Sequence, residues 1–331
     1  MDNKITLQSL QALRGVGAVA VVVFHALSLH PFFNFRAGAA GVDLFFVISG
    51  VVMYLSLRND ASPWEFLKRR FIRVVPMYWI ATTLAIAYFY ARYPYMTPST
   101  EHIVRSYIFA PPPPGYQMPL LYPGWTLNYE VFFYAILGTL LVTKRLAAAL
   151  TICVIVALGS LTNVVPAITG VYYFHQIILE FAAGMLIGMA IRHGYRPKKL
   201  EGFIYLALSV ILFAVHNHYK PEGVLAWGVP SALMVVGALA FESSKAVTNR
   251  ICQLIGSASY SIYLFHALAI WLVDWFWHTP RGVSAVLFAI ALSVVWGVVA
   301  HFLMEKPLLR LMLSWNRGGR TAATPSRASG S

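Results

Sequence analysis

Arg14 and His25 stand eleven residues apart inside one apolar stretch. Eleven residues is close to three turns of α-helix, so both side chains would share a face, separated by about 16 Å along the axis. That face would carry a fixed cation near one membrane surface and a titratable imidazole towards the other. Asp43 opens the next apolar run, at a depth expected to match His25. A carboxylate bound to one imidazole nitrogen would fix the tautomer and raise the basicity of the other, making an Asp43–His25 general-base dyad. The plainer reading of Asp43 is a helix N-cap. Glu130, about one and a half turns into the fourth run, could orient an acceptor hydroxyl or assist His25.

A second kind of chemistry is written in Phe66-Leu67-Lys68-Arg69-Arg70-Phe71-Ile72-Arg73. Four cations in six residues at the mouth of a helix suit a polyanion such as a cluster of nucleotide phosphates. A lipid-headgroup anchor would also use such a cluster. Arg70 and Arg73 lie at i, i+3 and share a face, which favours a built site. The remaining ionisable residues within apolar runs are His175, Glu180, His266, Asp274 and His301. A charge at a bilayer centre costs about 3 kcal/mol, so each is a functional candidate to be weighed against solvation near the headgroups or pairing within the bundle.

The elements that must position these groups follow from composition. Of 331 residues, 59% are hydrophobic and 11% charged, and the mean hydropathy is +0.66. Soluble domains carry about 25% charged residues, so an ordinary soluble enzyme, a disordered chain and a disulfide-stapled domain are excluded. Cys153 and Cys252 offer neither a metal-site spacing nor a disulfide framework, and no metal is expected. Ten apolar runs lie near residues 9–29, 39–57, 74–91, 125–143, 146–165, 173–191, 200–216, 224–241, 255–277 and 283–304. Each is long enough to cross about 30 Å of hydrocarbon as a helix. The expectation is an all-α polytopic membrane protein with about ten transmembrane helices.

The 25 Lys and Arg against 12 Asp and Glu fit this frame without nucleic acid. With the N-terminus inside, 19 of the 25 cations fall in cytoplasmic segments and five in outer ones. Both termini are therefore expected in the cytoplasm. The longest connection, residues 93–124, lies outside and is stiffened by Pro111 to Pro114. A single transmembrane domain over residues 1–314 precedes residues 315–331, whose composition predicts a disordered cytoplasmic tail.

Taken in order, several segments resemble the acyltransferase 3 family of integral membrane O-acyltransferases. They are Leu13-Arg14-Gly15 with His25; Gly41-Val42-Asp43-Leu44-Phe45-Phe46-Val47-Ile48-Ser49-Gly50; Arg70-Phe71-Ile72-Arg73-Val74-Val75-Pro76; Trp125-Thr126-Leu127 with Glu130; Ser259-Tyr260-Ser261-Ile262-Tyr263-Leu264-Phe265-His266; and Glu305-Lys306-Pro307. The resemblance covers essentially the whole chain and is closest to stand-alone exopolysaccharide acetyltransferases of the succinoglycan and xanthan type.

The resemblance implies transfer of an acyl group, usually acetyl, from cytoplasmic acyl-CoA to a sugar hydroxyl, in the inner membrane of a bacterium. Arg14 and His25 match the family's essential first-helix pair, and Arg70 and Arg73 its cytoplasmic arginines. The donor head is expected on Arg14, Arg69, Arg70 and Arg73, with catalysis by His25, Asp43 and Glu130. Ser49, Trp125, Tyr134 and His266 are expected to contact the saccharide or lipid-linked saccharide acceptor. Acyl-CoA is a substrate, and no tightly bound cofactor is expected. His25 could act as general base or carry the acyl group itself. A transporter or flippase for a lipid-linked sugar or small organic anion is the alternative on composition alone.

Overall fold

The computed structural model describes residues 7–30, 35–57, 62–164, 172–219, 223–277 and 282–321, and it is helical throughout. Its elements are α1 (Gln8–Ala26), α2 (Gly41–Ser56), α3 (Pro63–Arg92), α4 (Thr100–Tyr107), α5 (Gly124–Leu140), α6 (Ala147–Val164), α7 (Leu179–Arg192), α8 (Lys199–Tyr219), α9 (Val224–Leu239), α10 (Lys245–Thr248), α11 (Arg250–Phe276), α12 (Val283–Ala300) and α13 (Lys306–Thr321). All except α4, α10 and α13 correspond to the ten apolar runs. Seven helical stretches are long and apolar enough to cross a membrane. One of them, Gly124–Leu161, contains two helices, because the chain breaks at Lys144, whose φ is 51°. The shorter α7 and α9, of 14 and 16 residues, complete the ten. The chain is a multi-pass α-helical membrane protein.

Three details depart from expectation. The run near 173–191 begins with two 3₁₀ turns, and α7 proper starts at Leu179. The cause is local: His175 Nδ1 accepts the backbone N–H of Ile177 at 3.2 Å and caps the turn before the helix. The 93–124 connection contains α4, capped by Ser99, whose hydroxyl accepts from His102 N at 3.2 Å. An i, i+4 ion pair of Glu101 with Arg105, 2.8 Å long, reinforces α4. At the far end α13 continues to Thr321, past Trp315, where composition predicts the tail to begin. Residues 322–331 of that tail lie outside the described residues.

The central pairings are α1 against α2 and α11, α2 against α7, α11 against α12, and α8 against α9. Membrane helices lack a hydrophobic drive to associate and rely on close backbone approach through small residues. Gly15 meets Gly256 between α1 and α11, Gly17 meets Gly41 between α1 and α2, and Gly50 meets Gly184 between α2 and α7. Large aromatic side chains fill the space beside these crossings, with Tyr78, Phe133, Phe181 and Phe265 essentially inaccessible. α1 has no side-chain cap of its own. Glu242, beyond α9, supplies one: its carboxylate accepts from Gln8 N, from Ser9 N at 3.1 Å and from the Ser9 hydroxyl. A carboxylate at a helix N-terminus satisfies open donors and opposes the positive end of the dipole. The start of α1, the end of α2, the start of α3 and part of α13 meet at one end of the bundle, around a shared cavity.

Candidate active site

That cavity has a volume of about 1170 Å³. Arg14 enters it from α1, and Arg69, Arg70 and Arg73 from α3. The four arginines expected to bind one polyanion are thus gathered from two helices into one wall. Arg70 is fixed in place. Its guanidinium carbon lies 5.5 Å from the Phe66 ring centroid and 5.8 Å from that of Tyr134, and Nη2 donates to Ser56 Oγ at 3.4 Å. Arg69 and Arg73 are exposed. Arg14 interacts with the like charge of Arg73 and the opposite charges of Glu130 and Glu305.

The end of α2 that carries Ser56 is held by a residue that spacing did not single out. Arg192, at the end of α7, donates to the carbonyls of Tyr54, Leu55 and Leu57 at 2.6, 3.0 and 3.1 Å. Its guanidinium also lies 4.7 Å from the Tyr54 ring centroid. These carbonyls end α2, so Arg192 satisfies acceptors that the helix leaves open and fixes the rim on which Arg70 leans.

Further in, Glu130 lines the same cavity. Its Oε1 accepts from the Tyr134 hydroxyl, one turn along α5, and from Ser49 Oγ of α2 at 3.3 Å. Ser49 and Tyr134, expected to touch the acceptor, therefore hold Glu130. Tyr260 and Tyr263 of α11 also line the cavity. The Tyr260 hydroxyl donates to Val74 O at 2.6 Å, and Tyr263 pairs with Thr126 Oγ1 at 2.9 Å. At the wall behind Arg73, Glu305 accepts from Ser261 Oγ and pairs with His301 Nδ1, both at 2.7 Å, across a single π-helical turn. Such turns are frequent at functional sites.

His25 lies just outside the cavity lining, one ring beyond Tyr263. His266 bridges the two: its ring centroid is 5.8 Å from Tyr263 and 5.0 Å from His25. His25 Nδ1 is 3.2 Å from His266 Nε2 and 3.1 Å from Val21 O. The Tyr122 ring stands 4.8 Å away. The expected Asp43–His25 dyad is not formed. Asp43 instead faces Glu180 of α7, and both Glu180 oxygens are buried without a hydrogen-bond partner among the described residues. The side chain of Asp43 meets Glu180 across the tight α2–α7 crossing rather than His25 of α1. Trp125 packs edge-on against Tyr129, with centroids 5.9 Å apart, and does not line the cavity.

The cavity thus carries a cluster of four arginines in its lining, and an imidazole pair lies one ring beyond Tyr263. Residues 7–302 match the acyltransferase 3 family's acyltransferase domain. The chain belongs to the acyltransferase 3 family. Among curated relatives of this acyltransferase is the exopolysaccharide production protein ExoZ of Rhizobium meliloti (strain 1021). The two are 37% identical over 289 residues, covering 84% of this chain and 91% of ExoZ. Acyltransferase MdmB of Streptomyces mycarofaciens is 23% identical, over 97% of this chain and 96% of its own. The putative membrane-bound transacylase BcsY of Komagataeibacter xylinus is 25% identical, over 90% and 82%. No solved structure matches the chain. Membership of this family makes the protein an acyltransferase, in place of the transporter that composition alone also allowed.

Proposed function

We propose that this acyltransferase moves an acetyl group from acetyl-CoA to a hydroxyl of an exopolysaccharide sugar, in the inner membrane of a bacterium. The observation that carries this reading is the polarity of the cavity: four arginines at one end, Glu130 midway, and the His25–His266 pair beyond Tyr263 at the other. The excess of cations in the segments assigned inside puts the arginine end in the cytoplasm, where acyl-CoA is made. The similarity to ExoZ supports an exopolysaccharide acceptor.

CoA carries its negative charge at one end and its thioester at the other, joined by a thin arm. Its phosphates would dock on Arg70 and Arg73, assisted by Arg69 and Arg14, through charge-assisted hydrogen bonds. The arm would run along the cavity past Glu130. His25 then acts as general base: Nε2 takes the proton of the acceptor hydroxyl as its oxygen attacks the thioester carbonyl. The C–S bond breaks, and the imidazolium returns the proton to the leaving thiolate, so the step is proton-neutral. Glu130, fixed by Ser49 and Tyr134, serves as counter-charge to Arg14 rather than as a second base. Asp43 has no part in the proton transfer, because it does not reach His25.

The test uses purified protein in detergent with radiolabelled acetyl-CoA, with and without a saccharide acceptor. Wild type should bind acetyl-CoA, release CoA thiol only when acceptor is present, and retain no label. The His25→Ala variant should bind the donor normally and release none. Label retained on wild type but not on His25→Ala would replace the general base by an acyl-imidazole carrier. Undiminished turnover by His25→Ala would overturn the assignment.

A further inference from the structure

We propose that His266 is the positioning residue of this site, fixing His25 as the tautomer that presents a bare Nε2 to the acceptor hydroxyl. The proposal rests on His25 being the base. The argument is one of hydrogen-bond bookkeeping along a short chain of atoms. His266 is completely buried. Its Nδ1 lies 2.6 Å from the carbonyl oxygen of Tyr263. A carbonyl only accepts, so His266 Nδ1 must carry the hydrogen, and the neutral ring then has an unprotonated Nε2. That lone pair faces His25 Nδ1 at 3.2 Å. His25 Nδ1 must in turn be the donor, which leaves His25 Nε2 as the site without a proton.

The opposite assignment fails at two points. If His266 Nε2–H donated to His25 Nδ1, the lone pair on His266 Nδ1 would face Tyr263 O at 2.6 Å, and that on His25 Nδ1 would face Val21 O at 3.1 Å. Two buried acceptor–acceptor contacts would replace two hydrogen bonds, at about 1–3 kcal/mol for each group left unsatisfied. Val21 O, which can accept a second hydrogen beside that of the helix ladder, draws the same proton. The His25 Nδ1–H is thus shared between Val21 O at 3.1 Å and His266 Nε2 at 3.2 Å, and removing His266 leaves the tautomer on the weaker intrahelical contact alone. Among the described residues nothing pairs with His25 Nε2. The one nitrogen that the reaction needs is therefore free of partners among the described residues, and the other points into a wired pair.

A second imidazole does here what a carboxylate does in many catalytic pairs, without adding a negative charge to an apolar interior. When His25 takes the acceptor proton on Nε2, its Nδ1–H bond to His266 becomes charge-assisted and strengthens. No net charge needs to be desolvated in the resting state.

The experiment combines two variants with a tautomer measurement that does not depend on turnover. In ¹⁵N-histidine-labelled protein, with the His25 signals assigned by difference from His25→Ala, wild type should show Nδ1 protonated and Nε2 bare. His266→Leu removes the acceptor and should lower kcat by about tenfold to a hundredfold, by analogy with the loss when the partner orienting a metal-bound imidazole is removed, with the donor KM unchanged. Its His25 signals should report a mixture of tautomers. His266→Gln places an amide oxygen where Nε2 was and should restore both the Nδ1–H tautomer and most of kcat. The proposal is overturned if wild-type His25 carries its proton on Nε2 or if His266→Leu keeps full kcat. It is equally overturned if Leu and Gln variants are inactive alike while His25 keeps the wild-type tautomer, because His266 would then be needed only for packing. Full activity in His25→Ala would instead defeat the general-base reading, and the tautomer signals would still report on the pair.

Discussion

Gly50 of α2 and Gly184 of α7 pass each other backbone to backbone. A methyl group on Gly184 would stand 2.9 Å from the Gly50 Cα and closer still to the carbonyl of Val47. This crossing fixes the rotation of α2 and thereby decides that Ser49 reaches Glu130 while Asp43 turns to Glu180.

Gly184→Ala should therefore cost about 1–3 kcal/mol, the usual range for overpacking a close contact. Gly138→Ala is the control, since the added methyl would meet the movable end of the Leu67 side chain, at 2.6 Å. Thermal unfolding in detergent should show a clear loss for Gly184→Ala and a smaller one for Gly138→Ala. Equal losses would mean that the α2–α7 contact is not rigid.

Arg70 and Arg69 are neighbours in sequence but not in surroundings. Arg70 is clamped between Phe66 and Tyr134 and braced on Ser56, whereas Arg69 is exposed. Lysine keeps the charge but loses the planar fork and much of the ring contact. Arg70→Lys should raise the KM for acetyl-CoA by about tenfold with kcat nearly unchanged, the mark of lost uniform binding. Arg69→Lys should change it by less than about threefold. Steady-state kinetics over a range of donor concentrations would separate the two, and matching effects would contradict the clamp.

His102, in the outer connection, ties α4 to the segment after it. Its Nε2 donates to Met118 O at 3.0 Å, and its Nδ1 is buried without a hydrogen-bond partner among the described residues. Burial holds this imidazole below its ordinary pKa. The unfolded segment therefore binds protons more readily than the folded one. The stabilising effect is complete above about pH 6.5 and is lost as pH falls from there towards the folded value. Amide hydrogen exchange over residues 100–120 should quicken between pH 7 and pH 5 after correction for intrinsic rates. In His102→Gln, whose amide can still donate to Met118 O, this acceleration should be smaller. Identical pH responses would remove His102 as the cause.

The fold was legible because a bilayer asks mainly for length and apolarity, and each of the ten runs became a helix, α7 and α9 being shorter than the rest. Within the site, what could be read was whatever lies along a single helix. The arginine cluster of α3 is of this kind; the Glu130–Tyr134 pair carries the same i, i+4 spacing on α5, but Tyr134 was expected to contact the acceptor and the pairing came from the structure. Azimuth was not readable, as the pairing of Asp43 with Glu180 shows. Which neighbour a side chain faces depends on how two helices rotate about a crossing, and no local spacing encodes that. The partnership of His25 with His266 spans 241 positions and arises only when α1 and α11 close through Gly15 and Gly256. α4 was a different omission. Ser99 as cap and Glu101 with Arg105 at i, i+4 are its signals in the sequence, on a helix of eight residues too short to stand out by apolarity.

The separation of Arg14 from His25 along α1 has a consequence for what this protein would accept as fuel. A donor anchored on the arginines and reacting beside His25 must bridge about 16 Å, so the bundle would measure its substrate before it reacts. A compact activated acyl compound such as an acyl phosphate could occupy either end but not both, however reactive its carbonyl. Selectivity would then come from reach rather than from recognition of the acyl group, leaving the chemistry of the transferred group free to change without rebuilding the site that holds its carrier.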